Sequence, residues 1–186
     1  MSAPATLTTA RLTGTRRSMA GEADLRLLHA DPRVMATLAA DGRPLPPALT
    51  HRSLADGVAH WERYGFGAWH FHDRASGDFA GYCGLRHVTI DGQDEIELLY
   101  AVRADRWRTG VASEMAAAVL AVAFTDLALD DVVAFTLPTN RASRRVMEKA
   151  GFQYERDIVH AGLPHVLYRL TAARWRAGRA ADLASS

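Results

Sequence analysis

The order of elements along the 186-residue chain predicts one α/β domain built on a mixed sheet. Three observations carry that prediction. Strand-like runs with period-two alternation, separated by turn residues, fill residues 67–102. A strand–helix–strand–helix run then occupies 95–150. A closing hairpin, Phe152 to Val159 and His165 to Leu170, completes the pattern.

Each element has a local reason. Thr6 to Thr13 alternates weakly and is read as a first strand ended or bulged by Gly14. Leu25, Leu27 and Leu28 after Gly21-Glu22-Ala23-Asp24 predict a short helix ending near Asp31-Pro32, and Val34 to Ala39 a second. The breaker-rich stretch Asp41 to Pro47 reads as a surface loop. Leu54, Val58, Trp61 and Tyr64 share helical spacing over Ser53 to Tyr64, with Gly65 closing the helix. Gly67 to His72, Phe79 to Val88 and Glu95 to Val102 read as strands, with turns at Asp73–Asp78 and Asp91-Gly92. In the last of these, Ile96, Leu98, Tyr100 and Val102 share one face, and Glu95 and Glu97 lie on the other. Val111 to Leu129 is apolar on most sides and so predicts a buried helix. Asp131 to Leu137 reads as a buried strand. Asn140 to Ala150 reads as a helix capped by Asn140 and ended by Gly151. We assign the domain to residues 1–171 and read the Ala/Arg-rich 172–186 as a partly disordered tail.

Composition excludes several classes. The chain is 48% hydrophobic and 23% charged, which is ordinary for a globular protein. Lys+Arg of 22 against Asp+Glu of 21 gives +1, which offers no whole-protein grip on nucleic acid and no cationic membrane face. Cys83 is the single cysteine, so an internal disulfide and a multi-cysteine zinc site are impossible. Met1 to Thr6 carries no secretory-signal pattern, and the longest apolar run, Met115 to Phe124, is about half a membrane span. We expect a reduced, cytoplasmic protein, monomer or homodimer, with no metal. His70 and His72 share a strand face, but no third ligand is evident, and packing or hydrogen bonding is the plainer reading. Cys83 reads as a small core residue, because no activating base adjoins it.

Chemistry concentrates in Tyr100 to Glu114. A strand runs through a short loop into the apolar helix, opened by Gly110 and small residues. The first turn of a helix has unpaired N–H groups and about half a positive charge. Gly110 and Ala112 let a ligand approach that backbone, and Arg103, Arg106 and Arg108 add cations, which together describe a phosphate cradle. The plainer reading is a tight turn with solvated arginines. The Gly-Lys-Ser/Thr signature and the three-glycine dinucleotide spacing are both absent. A second helix start, at Asn140, brings Arg141, Arg144 and Arg145 close to its cap. Two neighbouring helix N-termini flanked by arginine suit a ligand with several phosphates.

At these residues the chain resembles the GNAT superfamily of N-acetyltransferases, in its ribosomal-protein acetyltransferase (RimJ/RimL-like) branch, over roughly residues 6 to 171. Thr9-Ala10-Arg11-Leu12 resembles the opening strand and Gly77 to Leu85 the third strand. Arg106-Trp107-Arg108-Thr109-Gly110-Val111-Ala112-Ser113-Glu114 resembles the acetyl-CoA pyrophosphate loop. Asn140-Arg141-Ala142-Ser143 to Gly151-Phe152 resembles the Asn-x-x-Ser…Gly-Phe motif. The family loop usually reads Gln/Arg-x-x-Gly-x-Gly/Ala. Here Asp105 and Arg108 hold the first two fixed positions, while Gly110 and Ala112 remain. The helix position where many members carry a tyrosine acid holds Met147.

The resemblance implies a GNAT fold, with a mostly antiparallel sheet of about six or seven strands, and acetyl transfer from acetyl-CoA to a primary amine by direct attack. It implies that Tyr100, Ala101, Val102, Arg108, Thr109, Gly110, Val111, Ala112, Ser113, Asn140, Ser143 and Arg145 bind the cosubstrate. Backbone groups from Leu99 to Val102 would hold the thioester and pantetheine, freed by a bulge at Leu99. Ser143 would protonate the thiol, and Asn140 would bind pantetheine or orient a water. Glu97 is the candidate base, acting through water; its plainer reading is a solvated carboxylate. Trp61, Tyr64, Phe66 and Trp69 read as core and pocket lining, and residues 41–51 as a substrate-facing flap. The expected acceptor is a protein N-terminal amine. The rivals are a small amine, such as an antibiotic or polyamine, and a non-catalytic acyl-CoA sensor. Acidic residues in the acceptor pocket would favour a polycation.

Overall fold

An eight-stranded sheet runs through the protein, one strand more than the upper count expected. The computed structural model describes residues 2–39 and 41–184. The extra strand arises because the first segment is a hairpin, β1 (Thr6–Thr8) and β2 (Leu12–Arg16). Thr9 closes its turn: the Thr9 N–H donates to Leu12 O, and the Thr9 hydroxyl accepts from the Leu12 N–H, each at 2.9 Å. Gly14 does not end the strand. It lies inside β2 because the Phe71 ring comes within 2.7 Å of where a Cβ would stand.

Three helices follow: α1 (Glu22–His29), α2 (Pro32–Leu38), capped by Asp31, and α3 (Pro47–Tyr64), ended by Gly65 in the left-handed region. α3 starts earlier than the expected Ser53, because Pro47 occupies a first-turn position, where a missing N–H costs nothing. The segment expected as a flap over 41–51 is therefore helical from Pro47 onward. Next come β3 (Ala68–Asp73), β4 (Phe79–Ile90) and β5 (Gln93–Val102), with Asp91 and Gly92 at positive φ in the β4–β5 turn. The expected long helix is α4 (Val111–Ala121), continued by one π-helical turn over Val122–Asp126. After it come β6 (Asp131–Thr136), α5 (Arg141–Lys149), β7 (Gln153–His160), β8 (Leu163–Thr171) and α6 (Ala172–Ala184).

The spatial order is β1-β2-β3-β4-β5-β6-β8-β7, antiparallel throughout except for the β5–β6 pair. Alternation along β4 and β5 divides the core. Cys83, Leu85, Leu98 and Val102 pack with Met115, Ala116, Val119 and Leu120 of α4. Phe79, Tyr82 and Ala101 pack on the other side with Leu25 and Leu28 of α1 and Leu54 of α3. Each such leucine contributes about 1.5–3 kcal/mol through burial. The residues expected as a partly disordered tail form α6 instead, apart from Ser185 and Ser186, which lie outside the described residues. Ala172 is buried, the Trp175 ring packs on Phe124 at 5.3 Å, and Arg174 Nε donates to Gly151 O at 2.8 Å.

Among the described residues, no helix is long and apolar enough to cross a membrane, and no group of three or more His, Cys, Asp or Glu could hold a metal ion. His70 Nε2 accepts from Arg17 Nε at 3.2 Å, and His72 Nε2 lies 2.9 Å from Asp24 Oδ2. Cys83 is buried, and burial pushes its thiol well above the ordinary value.

Candidate active site

The parallel strands β5 and β6 meet at one register point, Glu97 opposite Val133. Beyond it β6 leads away into α5, so among the described residues β5 from Leu98 to Val102 has an edge without a strand partner. The expected bulge at Leu99 is absent: pairing with β4 runs unbroken from Ile90↔Gln93 to Gly81↔Val102. Divergence of two strands, rather than a bulge, leaves that edge of the Leu99–Val102 backbone without a strand to bond.

One side-chain contact spans the gap. The Tyr100 hydroxyl donates to the Ser143 carbonyl at 3.1 Å and shares a 2.8 Å hydrogen bond with the Ser143 hydroxyl. Burial raises the Tyr100 phenol above its ordinary value, outweighing the Ser143 hydrogen bond, so it stays protonated through neutral pH. Asn140 caps α5, its Oδ1 accepting from the Ser143 N–H at 3.1 Å, as its spacing predicted. Met147, at the helix position that the resemblance aligns with a tyrosine acid in many members, is buried in the core. The sequence reading assigned Tyr100 a backbone role only. The signal for its hydroxyl was the alternation that places Tyr100 with Leu98 and Val102, on the face opposite Glu97.

The loop before α4 folds as a single turn over Ala104–Arg106, followed by Arg108 at φ +64 and Gly110 at φ +84. No side chain caps Gly110, and the first helical bond there is Glu114 N–H to Gly110 O at 3.0 Å. The N–H groups of Val111, Ala112 and Ser113 thus face outward over a helix N-terminus. Glu114 would place an anion there, but it is drawn away: it accepts from Thr9 Oγ1 at 2.6 Å and from Arg11 Nε at 2.7 Å.

The arginines divide. Arg103 pairs with Asp105 at 2.9 Å, and Arg106 with Asp73 at 3.3 Å and Asp78 at 3.4 Å. Arg144 folds onto the Tyr168 hydroxyl at 3.1 Å. These three are therefore not the free cations the sequence suggested. Arg108 and Arg145 are exposed and make no ion pair among the described residues, as does Arg141.

On the opposite face of β5, Glu97 is 5% exposed, so it is not a solvated carboxylate. Arg86, opposite it on β4, donates from Nε to Glu97 Oε2 at 2.6 Å, with its own side chain 45% exposed. Burial raises the Glu97 pKa, and Arg86 and His165 offset this in part. Beside this pair lies a cavity of about 260 Å³ between the sheet and α1 and α3. Its wall includes Leu99, Tyr82, Arg86, Arg17, His60 and Asp56. It sits on the Glu97 face, across the strand from the Tyr100–Ser143 contact.

Comparison with known proteins bears on the family and the fold. Residues 17–153 match the family described as "Acetyltransferase (GNAT) domain". YkkB of Bacillus subtilis (strain 168) is 33% identical over 105 residues, covering 56% of this chain and 61% of YkkB. YoaA of the same organism, named an N-acetyltransferase, is 31% identical over 87 residues, covering 47% of this chain and 49% of YoaA. The chain thus aligns with about half to six-tenths of the length of these curated relatives. The crystal structure of the acetyltransferase from Agrobacterium tumefaciens str. C58 superposes with a TM-score of 0.76 at 27% identity, covering 91% of this chain and 95% of that one. RimL, a ribosomal L7/L12 alpha-N-protein acetyltransferase solved with coenzyme A, superposes at 0.75 with 12% identity, covering 89% and 97%, and so shares the fold. With a strand pair that diverges beside an uncapped helix N-terminus, and a family match across most of its length, this chain belongs to the GNAT acetyltransferases, a family whose cosubstrate is acetyl-CoA.

Proposed function

We propose that this protein transfers the acetyl group of acetyl-CoA to the α-amine of a peptide or protein N-terminus by direct attack. The observation that carries the reading is the opposition of two proton-handling groups across one strand: buried Glu97 on one face of β5 and the Tyr100–Ser143 hydroxyl pair on the other. The amine lone pair attacks the thioester carbon, the C–N bond forms, and the C–S bond breaks. The proton lost by nitrogen passes through a water to Glu97. The departing thiolate takes a proton from Ser143, Tyr100 replaces it, and the Tyr100 phenol regains its proton from solvent. The diphosphate is received by the N–H groups of Val111, Ala112 and Ser113, with Arg108 and Arg145 as the uncommitted cations. Thr109 and Gly110 shape that turn, Ala101 and Val102 lend backbone to the pantetheine arm, and the free NH₂ of Asn140 bonds it.

The acid–base demand fits an α-amine. With a pKa near 8, its neutral form at pH 7 costs about 1.4 kcal/mol, against roughly 4.6 kcal/mol for a lysine-type amine near 10.4. One buried carboxylate suffices for the smaller task. A polycationic acceptor is disfavoured, because arginines and histidines outnumber the single acid, Asp56, on the cavity wall. The deciding experiment measures thiol release from acetyl-CoA against N-terminal peptides, aminoglycosides and polyamines, with the product identified by mass spectrometry. Release with peptides supports the reading. Release with polyamines alone overturns the acceptor class, and coenzyme binding without any release would make the protein a sensor.

Ser143→Ala is expected to lower kcat by about 10²-fold, the low end for a general acid, with the acetyl-CoA KM little changed. Tyr100→Phe should lower kcat less and leave the shape of the pH–rate profile through neutral pH unchanged, because burial already keeps the Tyr100 phenol protonated there. Steady-state kinetics at several pH values checks both, and an unchanged kcat in Ser143→Ala removes the proton-donor role.

A further inference from the structure

Resting on the acetyl-transfer reading, we infer that the acceptor carries a carboxylate near its reacting amine and that Arg17 receives it. Arg17 follows β2 directly and is 6% exposed. Its guanidinium lies over the Tyr82 ring at 4.7 Å, and its Nε donates to His70 Nε2 at 3.2 Å. Its Nη2 is fully buried and has no hydrogen-bond partner among the described residues. No carboxylate pairs with it among the described residues, whereas buried Glu97 is matched by Arg86, and Arg106 and Arg169 by several acids. A buried guanidinium without a counter-ion is among the costliest arrangements in a fold, and arginine does not shed its proton to escape it.

The Tyr82 ring and His70 Nε2 relieve that charge only in part, and no anion among the described residues completes the match. His29 and His70 are held neutral at physiological pH, their pKa values lowered to about 4 and about 3, by burial first and by the Arg17 charge second. α3 carries Gly57 where it passes the guanidinium: a Cβ there would stand 2.8 Å from Arg17 Cδ and 2.9 Å from Nη1. Arg17 forms part of the wall of the 260 Å³ cavity that also reaches Leu99 on β5 and Arg86. That volume equals roughly nine waters, room for one residue-sized group rather than a folded surface. A carboxylate held at Arg17 would anchor the acceptor inside the cavity that borders the reacting strand. The α-carboxylate of a free amino acid and the side chain of an N-terminal Asp or Glu supply the same chemistry.

Two acceptor pairs test this: a free amino acid against its amide, and a peptide beginning with Asp against one beginning with Asn. The expected result is a kcat/KM at least ~10-fold higher for the carboxylate member of one pair, expressed mainly in KM; which pair responds identifies the source. The preference should fall below ~3-fold in Arg17→Gln and return in part in Arg17→Lys. A second readout needs no turnover. Succinate should raise the melting temperature of the CoA-loaded wild type and leave that of Arg17→Gln unmoved. Acetylation of both members of each pair at equal kcat/KM, or a succinate shift that survives in Arg17→Gln, overturns the anion site and leaves the transferase reading intact. Should Arg17→Gln fail to fold, equal wild-type kinetics within both pairs and no succinate shift in the wild type overturn it as well. Succinate stabilisation that depends on Arg17, with no amine acetylated, supports the anion site and removes the transferase reading instead.

Discussion

Gly110→Glu is expected to weaken acetyl-CoA binding by at least about 10²-fold. Gly110 precedes α4 at φ +84, and an added Cβ would meet Arg11 Nη2 at 3.5 Å, an ordinary contact. The new side chain therefore has room, and the effect is chiefly electrostatic. A carboxylate placed about 4 Å from a phosphate costs on the order of 4 kcal/mol at an effective dielectric of 20. Discounted for solvent screening, half of that is still more than tenfold in affinity, and the helix N-terminus is lost as an anion site besides. Arg11 offsets only part of the new charge, because its Nε already holds Glu114 Oε2 and its Nη1 already donates to Thr109 O. Gly110→Ala is the control. It carries the same backbone strain, about 1–2 kcal/mol for a left-handed non-glycine residue, without the charge. Calorimetric titration with coenzyme A should therefore show Gly110→Ala near wild type and Gly110→Glu far weaker. Equal affinity in all three would place the diphosphate elsewhere.

What the sequence made legible was local. Asn140 as a cap, Gly65 and Gly151 as helix ends, Asp91-Gly92 as a turn and Glu97 as pointing away from Leu98 all follow from interactions within a few residues, and the structure places each as expected. The reading failed where a distant partner decides. Nothing near Thr9 marks a turn by composition; its own hydroxyl supplies the missing bond to Leu12. Gly14 looked like punctuation because Phe71, which requires it, lies far along the chain. Residues 172–186 read as a partly disordered tail because the anchors of α6, Phe124 and Gly151, are also remote.

The arginines make the same point for the site. Six of them surround two helix starts in sequence, and charge counting treats them alike. Asp105, Asp73, Asp78 and the Tyr168 hydroxyl decide which are spent. Arg17 drew no notice in the sequence because its isolation is made by α3, β3 and β4 together. Residues that set specificity are hard to see for that reason. They answer to a cavity, and a cavity has no periodicity.

Glu97→Gln is expected to lower kcat/KM for an α-amine acceptor by about 10²-fold at neutral pH, with the deficit shrinking as pH rises above the amine pKa near 8. The substitution keeps the volume and an oxygen for Arg86 to donate to, so what it removes is the basic site. The wild-type acid limb should lie above the ordinary carboxylate range, because burial raises the Glu97 pKa and Arg86 offsets only part of that rise. The stability effect has the opposite sense from catalysis. A carboxyl whose pKa is higher in the folded chain than in the unfolded one binds its proton more tightly when folded. Its contribution is greatest when it is protonated, below the unfolded value, and is lost as pH climbs through the raised folded value. Glu97→Gln should therefore match or exceed wild type in melting temperature at pH 7, and lose that advantage as the pH falls toward 4. A purely structural Glu97 would behave differently: the variant would melt lower at pH 7 through the loss of the Arg86 ion pair, and its pH–rate profile would keep the wild-type acid limb. The paired measurements, kcat/KM and melting temperature across pH 4 to 9, thus separate a carboxylate kept buried to accept a proton from one kept buried to hold two strands together.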